Sequence, residues 1–79
     1  MSINKGPVAV EWESRAKNLL KAELKRRGMG YGDLVRRLGE MQIHETERNL
    51  TNKISRGGFS AAFLLQCLSA AGARDVRLD

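Results

Sequence analysis

Six side chains between residues 48 and 56 hold the densest hydrogen-bonding chemistry in the chain: Arg48, Asn49, Thr51, Asn52, Lys53 and Arg56. They lie in the run ETERNLTNKISRGG, residues 45–58, which has few apolar positions. Leu50 and Ile54 are four apart, so in a helix they share one face and can fasten it to a core. The six polar side chains then fall on the rest of the surface. Arg and Lys can donate to guanine edges or to phosphate, Asn can pair bidentately with adenine, and Thr can meet a thymine methyl. A helix held by a narrow apolar edge and showing these groups outward is suited to reading a DNA groove. An ordinary solvated face has the same composition, so the surrounding elements decide between the two. Glu45 and Glu47 oppose phosphate. They are read as stabilising the positive start of the helix, with holding Arg48 or accepting from cytosine as the alternatives.

The remaining chemistry is sparse. The single Cys67 and single His44 allow neither an internal disulfide nor a zinc site of the usual Cys/His kind. His44 is read as a surface or capping residue and Cys67 as a small buried apolar one. No nucleophile–base–acid set, phosphate-cradling glycine loop or metal spacing is present, so no enzyme and no cofactor is expected. No apolar run reaches the length of a membrane span and no signal peptide opens the chain. The expectation is a cytoplasmic, reduced protein with no membrane partner. With 79 residues, one domain is expected. At 42% hydrophobic and 5% aromatic residues, its core must be small and aliphatic. Fourteen Lys and Arg oppose nine Asp and Glu, for a net charge of +5 and a pI near 10.0. That balance favours an anionic partner through attraction and counterion release.

Four helices would position the polar run. Residues 1–10 show no period and are read as a flexible arm. From about residue 11 to 27, Trp12, Ala16, Leu19, Leu20 and Leu24 make one apolar stripe. Glu11 and Glu13 would stand near the positive helix end and Lys25, Arg26 and Arg27 near the negative one. Lys17, Lys21 and Lys25 form an outer row. A second helix, from Gly30 to about Leu38, turns Tyr31, Leu34, Val35 and Leu38 inward, with Asp33 capping its first turn. Gly32 in that turn predicts a close helix contact or a weak start. Residues 39–44 connect onward, or extend the second helix through Met41, with Met41 and Ile43 plugging the corner. The third helix is the polar run, capped by Thr46 and stopped by Gly57. Ser60 caps a fourth, with Phe59 stapled on Leu64 and with Phe63, Leu64, Cys67, Leu68 and Ala71 inward. Residues 73–79 alternate polar and apolar, so they read as a loose tail or as a short strand paired with a second subunit.

This arrangement resembles the lambda-repressor/Cro-like helix-turn-helix domains. DLVRRL at residues 33–38 carries the likeness in the scaffold helix. Ile54, Ser55, Arg56 and Gly57 carry it at the end of the recognition helix, and the segment from Phe59 and Ser60 to Leu68 carries it in the supporting one. The chain also resembles a family of small bacterial proteins of uncharacterised function, through WESRAKNLLKAELKRRGM, the pattern ETExNLxNKIxRGxF and AAFxLQCL. The first likeness implies an all-α, compact four-helix helix-turn-helix domain over residues 11–72, with the third helix in the major groove. Arg48 would then pair with guanine, Asn49 or Asn52 with adenine, and Thr51 would touch thymine. Lys53 and Arg56 would grip phosphate. The chain departs from that pattern in a longer joint before the third helix and in inward residues four rather than three apart.

The function expected is therefore a sequence-specific DNA-binding transcriptional regulator. A homodimer is expected because one small domain offers too few contacts for specific affinity. The competing reading is a protein-interaction adaptor or inhibitor that uses Glu45, Glu47 and the tail. RNA binding stands behind both, since the chain lacks clustered aromatics for stacking bases.

Overall fold

Pro7 sits where a proline serves a helix best, in the first turn, where no amide is needed. In the computed structural model, which describes residues 6–78, it opens α1 (Pro7–Arg26), followed by α2 (Tyr31–Glu40), α3 (Glu47–Arg56) and α4 (Ala61–Ala71). Of the residues 1–10 expected as a flexible arm, residues 7–10 are helical, and residues 1–5 lie outside the described residues. The earlier start also moves Glu11 and Glu13 out of the first turn, which holds no acidic residue.

The caps follow local chemistry. The Gly30 amide donates to Asp33 Oδ2 at 3.0 Å, the Asn49 amide to Thr46 Oγ1 at 3.0 Å and the Phe63 amide to Ser60 Oγ at 3.0 Å. The Gly30 hydrogen bond, helped by the Arg36 charge, holds the Asp33 carboxyl below its ordinary value of 3.8. A carboxyl depressed in the fold adds stability above its unfolded pKa and loses it as pH falls through the folded one. Asp33→Asn, which keeps an acceptor and removes the charge, should therefore melt below the parent at pH 6. The gap should narrow as pH falls below 3.8; a gap independent of pH would contradict the assignment.

The end of α2 is the exception. Ile43 N–H donates to Leu38 O at 2.9 Å and Gln42 N–H to Gly39 O at 3.0 Å, the paired bonds of a left-handed helix stop. The left-handed position belongs to Gln42, at φ 66°, where glycine is the residue that adopts it freely. Gln42→Gly should stabilise the fold by about 0.5–1 kcal/mol, read as a raised thermal midpoint. A lowered midpoint would mean that the Gln42 side chain contributes more than its backbone strain costs.

The core is aliphatic. Leu20 and Leu24 of α1, Leu34 and Leu38 of α2, Leu50 and Ile54 of α3, and Phe63, Cys67 and Leu68 of α4 form one buried cluster. Both α3 and α4 pack on α1 and α2. At 1.5 Å per residue α1 is about 30 Å long, twice its 10-residue neighbours α2 and α3. Its first residues, 7–12, are all exposed. Trp12, expected in the core stripe, lies there 59% exposed, with the Arg15 guanidinium 4.5 Å over its ring. Glu23 is buried instead, paired with Arg27 and, at 3.4 Å, with Arg26. Of the two corner residues, Ile43 packs on the core and Met41 is exposed. Phe59 meets Phe63, ring centroids 5.4 Å apart. Among the described residues no strand forms. Residues 73–78 run as irregular chain, with Val76 packed on the core. A strand needs a neighbour to take its hydrogen bonds, and a single helical chain supplies none.

Candidate functional site

Fixing Leu50 and Ile54 in the core fixes the rotation of α3. At about 100° per residue, Asn52 stands opposite the buried edge. Arg48 and Arg56 lie about 40° to either side of it, and Ser55 and Asn49 about 60°. All five residues are exposed. Thr51 and Lys53 fall about 80° from the buried edge, on opposite flanks. The structure thus brings four of the six expected residues, Arg48, Asn49, Asn52 and Arg56, onto one outward face, and places the other two at its margins. Ser55 joins the face although the sequence reading did not select it. Its position three after Asn52 and seven after Arg48 was the available signal.

The two flank residues are already engaged. Thr51 is half-buried and its Oγ1 donates to Glu47 O at 2.8 Å, one turn back in its own helix. Lys53 Nζ is 2.5 Å from Glu45 Oε2 and 5.2 Å from the centroid of the Phe63 ring. Lys53 therefore ties the loop before α3 to α4. Among the described residues, no hydrogen bond or ion pair engages the side chains of Arg48, Asn52 or Arg56.

Both acids of the polar run are turned away from the outward face. Glu45 precedes the cap Thr46, so it is outside the helix and is not the dipole-stabilising residue expected; its carboxylate is spent on Lys53. Glu47 is the acidic residue of the first turn. Its Oε2 would lie 3.5 Å from a methyl placed on Gly32, so it faces the start of α2. That is ordinary van der Waals distance to the end of a side chain, so the close helix contact expected at Gly32 is not present. The outward face consequently carries two cations and three neutral hydrogen-bonding groups, and no carboxylate.

Gly57 closes α3 in the left-handed conformation, φ 74°, against α1. A methyl there would lie 2.9 Å from Glu13 O and 3.5 Å from Lys17 Cβ. The base of the Lys17 side chain is thus beside the end of α3. Lys21 and Lys25, further along the same α1 row, line a surface pocket with Tyr31 at the joint of α1 and α2. These lysines extend positive charge away from α3.

Other chemistry is limited. Burial, with the Glu45 charge adding to it, pushes the Cys67 thiol up to about 12. It stays protonated, and a thiolate nucleophile is not available. Among the described residues no three His, Cys, Asp or Glu side chains gather to hold a metal ion. No described helix is long and apolar enough to cross a membrane.

Compared with known families, residues 12–76 match one described as a domain of unknown function, DUF6471. No curated protein and no solved structure matches the chain.

Proposed function

The chain belongs to the DUF6471 family, whose description assigns no activity, and from the outward face of α3 we propose that it is a sequence-specific, double-stranded-DNA-binding regulator of transcription. In this reading the fold is a helix-turn-helix of the lambda-repressor/Cro-like kind, with α2 as scaffold and α3 in the major groove. Arg48, Asn49 and Asn52 read base edges, Ser55 assists them, and Arg56 holds phosphate. The observation that carries the reading is the sorting of charge on α3. Every outward group can hydrogen-bond a base or a phosphate, while Glu45 pairs with Lys53 and Glu47 lies beside the start of α2. The net charge of +5 works in the same direction.

The joint before α3 is longer than the usual turn, since α2 ends at Glu40 and α3 begins at Glu47. The rotation of α3 is nevertheless set by its own core residues, so the length of the joint changes its position more than its outward face. A single face of this size offers few contacts, and the regulator acts as a homodimer with two α3 helices roughly 34 Å apart. Light scattering should then give about twice the 8.8 kDa chain mass.

A second reading has one observation in its favour. Val8, Trp12, Leu65 and Leu78 are exposed apolar side chains, and a groove lined by Trp12, Leu19, Leu64 and Leu78 runs beside α1. An adaptor would use that face, since Glu45 is paired with Lys53. Selection from a random duplex pool separates the two. Enrichment of a palindrome with half-sites one helical turn apart is expected. A pool that stays random after several rounds would overturn the DNA reading and leave the adaptor.

A further inference from the structure

Lys53 and Glu45 are unequally placed. The Lys53 side chain is 46% exposed, while that of Glu45 is 12% exposed. Lys53 opens onto a surface pocket that it shares with Arg56, Phe59, Ser60 and Phe63. The Phe63 ring lies under the ammonium at 5.2 Å, and Glu45 Oε2 holds it at 2.5 Å. A lysine is a compact charge on a flexible four-carbon stem, so it can turn outward. Glu45 is fixed on the segment before the Thr46 cap and nearly enclosed, so it cannot follow.

We infer that Glu45 sets the DNA affinity of α3 by competing with the phosphate backbone for Lys53. The inference rests on the DNA-binding reading above and deepens it. When α3 meets a duplex, the Lys53 ammonium can bind a phosphate oxygen only by leaving Glu45. The ammonium is already half exposed to water, so the exchange is within reach. It still leaves a largely enclosed carboxylate without its partner and close to phosphates, which opposes binding. Glu45 therefore keeps Lys53 from adding its full share to non-specific affinity. The sequence-reading contacts of Arg48, Asn49 and Asn52 then make up a larger part of the total.

The test is a cycle of four proteins, wild type, Glu45→Gln, Lys53→Gln and the double variant, titrated into mixed-sequence duplex at 50 and 200 mM salt. Glu45→Gln should tighten binding about three- to tenfold when Lys53 is present. It should also steepen the salt dependence by about one phosphate contact. In the Lys53→Gln background the same change should tighten binding less than twofold. Equal gains in both backgrounds would mean simple removal of a repelling charge, and would overturn the competition. Weaker binding by Glu45→Gln would show the pair to be only a structural clasp and would overturn it equally. Absence of binding by all four proteins, each folded by circular dichroism, would remove the DNA reading and this inference with it. If Glu45→Gln does not fold, Glu45→Asp withdraws the carboxylate from Nζ while keeping the charge. It should tighten binding about twofold, and no tightening would overturn the inference.

Discussion

Gly57→Ala is expected to destabilise the protein by about 2–4 kcal/mol. Two effects add at this position. The residue closes α3 at φ 74°, a conformation that an alanine adopts only at a cost of about 1 kcal/mol. The new methyl would also lie 2.9 Å from the Glu13 carbonyl oxygen and 3.3 Å from its carbon. Those are backbone atoms inside α1, so relief requires α3 to move off α1 rather than a side chain to turn. For a domain of this size each kcal/mol shifts the midpoint by roughly 4–8 °C, so the expected loss is on the order of 10–30 °C. Gly72→Ala is the control. Its φ is also left-handed, at 86°, but a methyl there meets nothing within 4 Å. It should lose only the conformational part, about 1 kcal/mol. Equal losses at the two glycines would contradict the close approach of α3 to α1. Because this contact also holds α3 in place, Gly57→Ala should weaken DNA binding even below its melting temperature.

Arg48→Ala should leave stability within about 0.5 kcal/mol, because its side chain is exposed and unengaged among the described residues. Its expected effect is on discrimination. A bidentate Arg–guanine pair contributes about 1–3 kcal/mol, so the variant should lose roughly 5- to 150-fold of preference at one base pair in each half-site. Affinity for mixed DNA should fall much less. Lys53→Ala is expected to differ in kind. It leaves the enclosed Glu45 without its partner, so it should lower the melting temperature as well as affinity, with no change in preferred sequence. Competition binding against a set of single-base-pair substitutions measures the Arg48 effect. A uniform loss across the set would assign Arg48 to phosphate instead.

Much of the helical framework was legible because the sequence obeys local rules. Asp33, Thr46 and Ser60 cap α2, α3 and α4 as their spacing predicts. Leu50 and Ile54 carry α3, and Gly57 ends it. The failures have physical causes. Residues 1–10 show no period, which gives no sign of a helix, yet proline in a first turn favours a helix start and α1 begins at Pro7. The period that placed Trp12 in a stripe is real, but periodicity gives direction and not depth. It cannot show that a 20-residue helix outruns the 10-residue neighbours it packs on. The pair of Glu45 with Lys53 spans eight residues across a cap, where no helical spacing rule applies. The same pair and the flank position of Thr51 became visible only once the core had fixed the rotation of α3. The candidate site was therefore legible as a list of residues, while their division between outward face and margins was not.

The most direct test of the account is the binding of wild-type protein to a labelled mixed-sequence duplex by fluorescence anisotropy. The DNA-binding reading predicts clear binding at 50 mM salt that weakens roughly 10- to 100-fold at 200 mM, as expected for about two to four phosphate contacts in the complex. No binding at 50 mM salt, or binding that salt leaves unchanged, would contradict it.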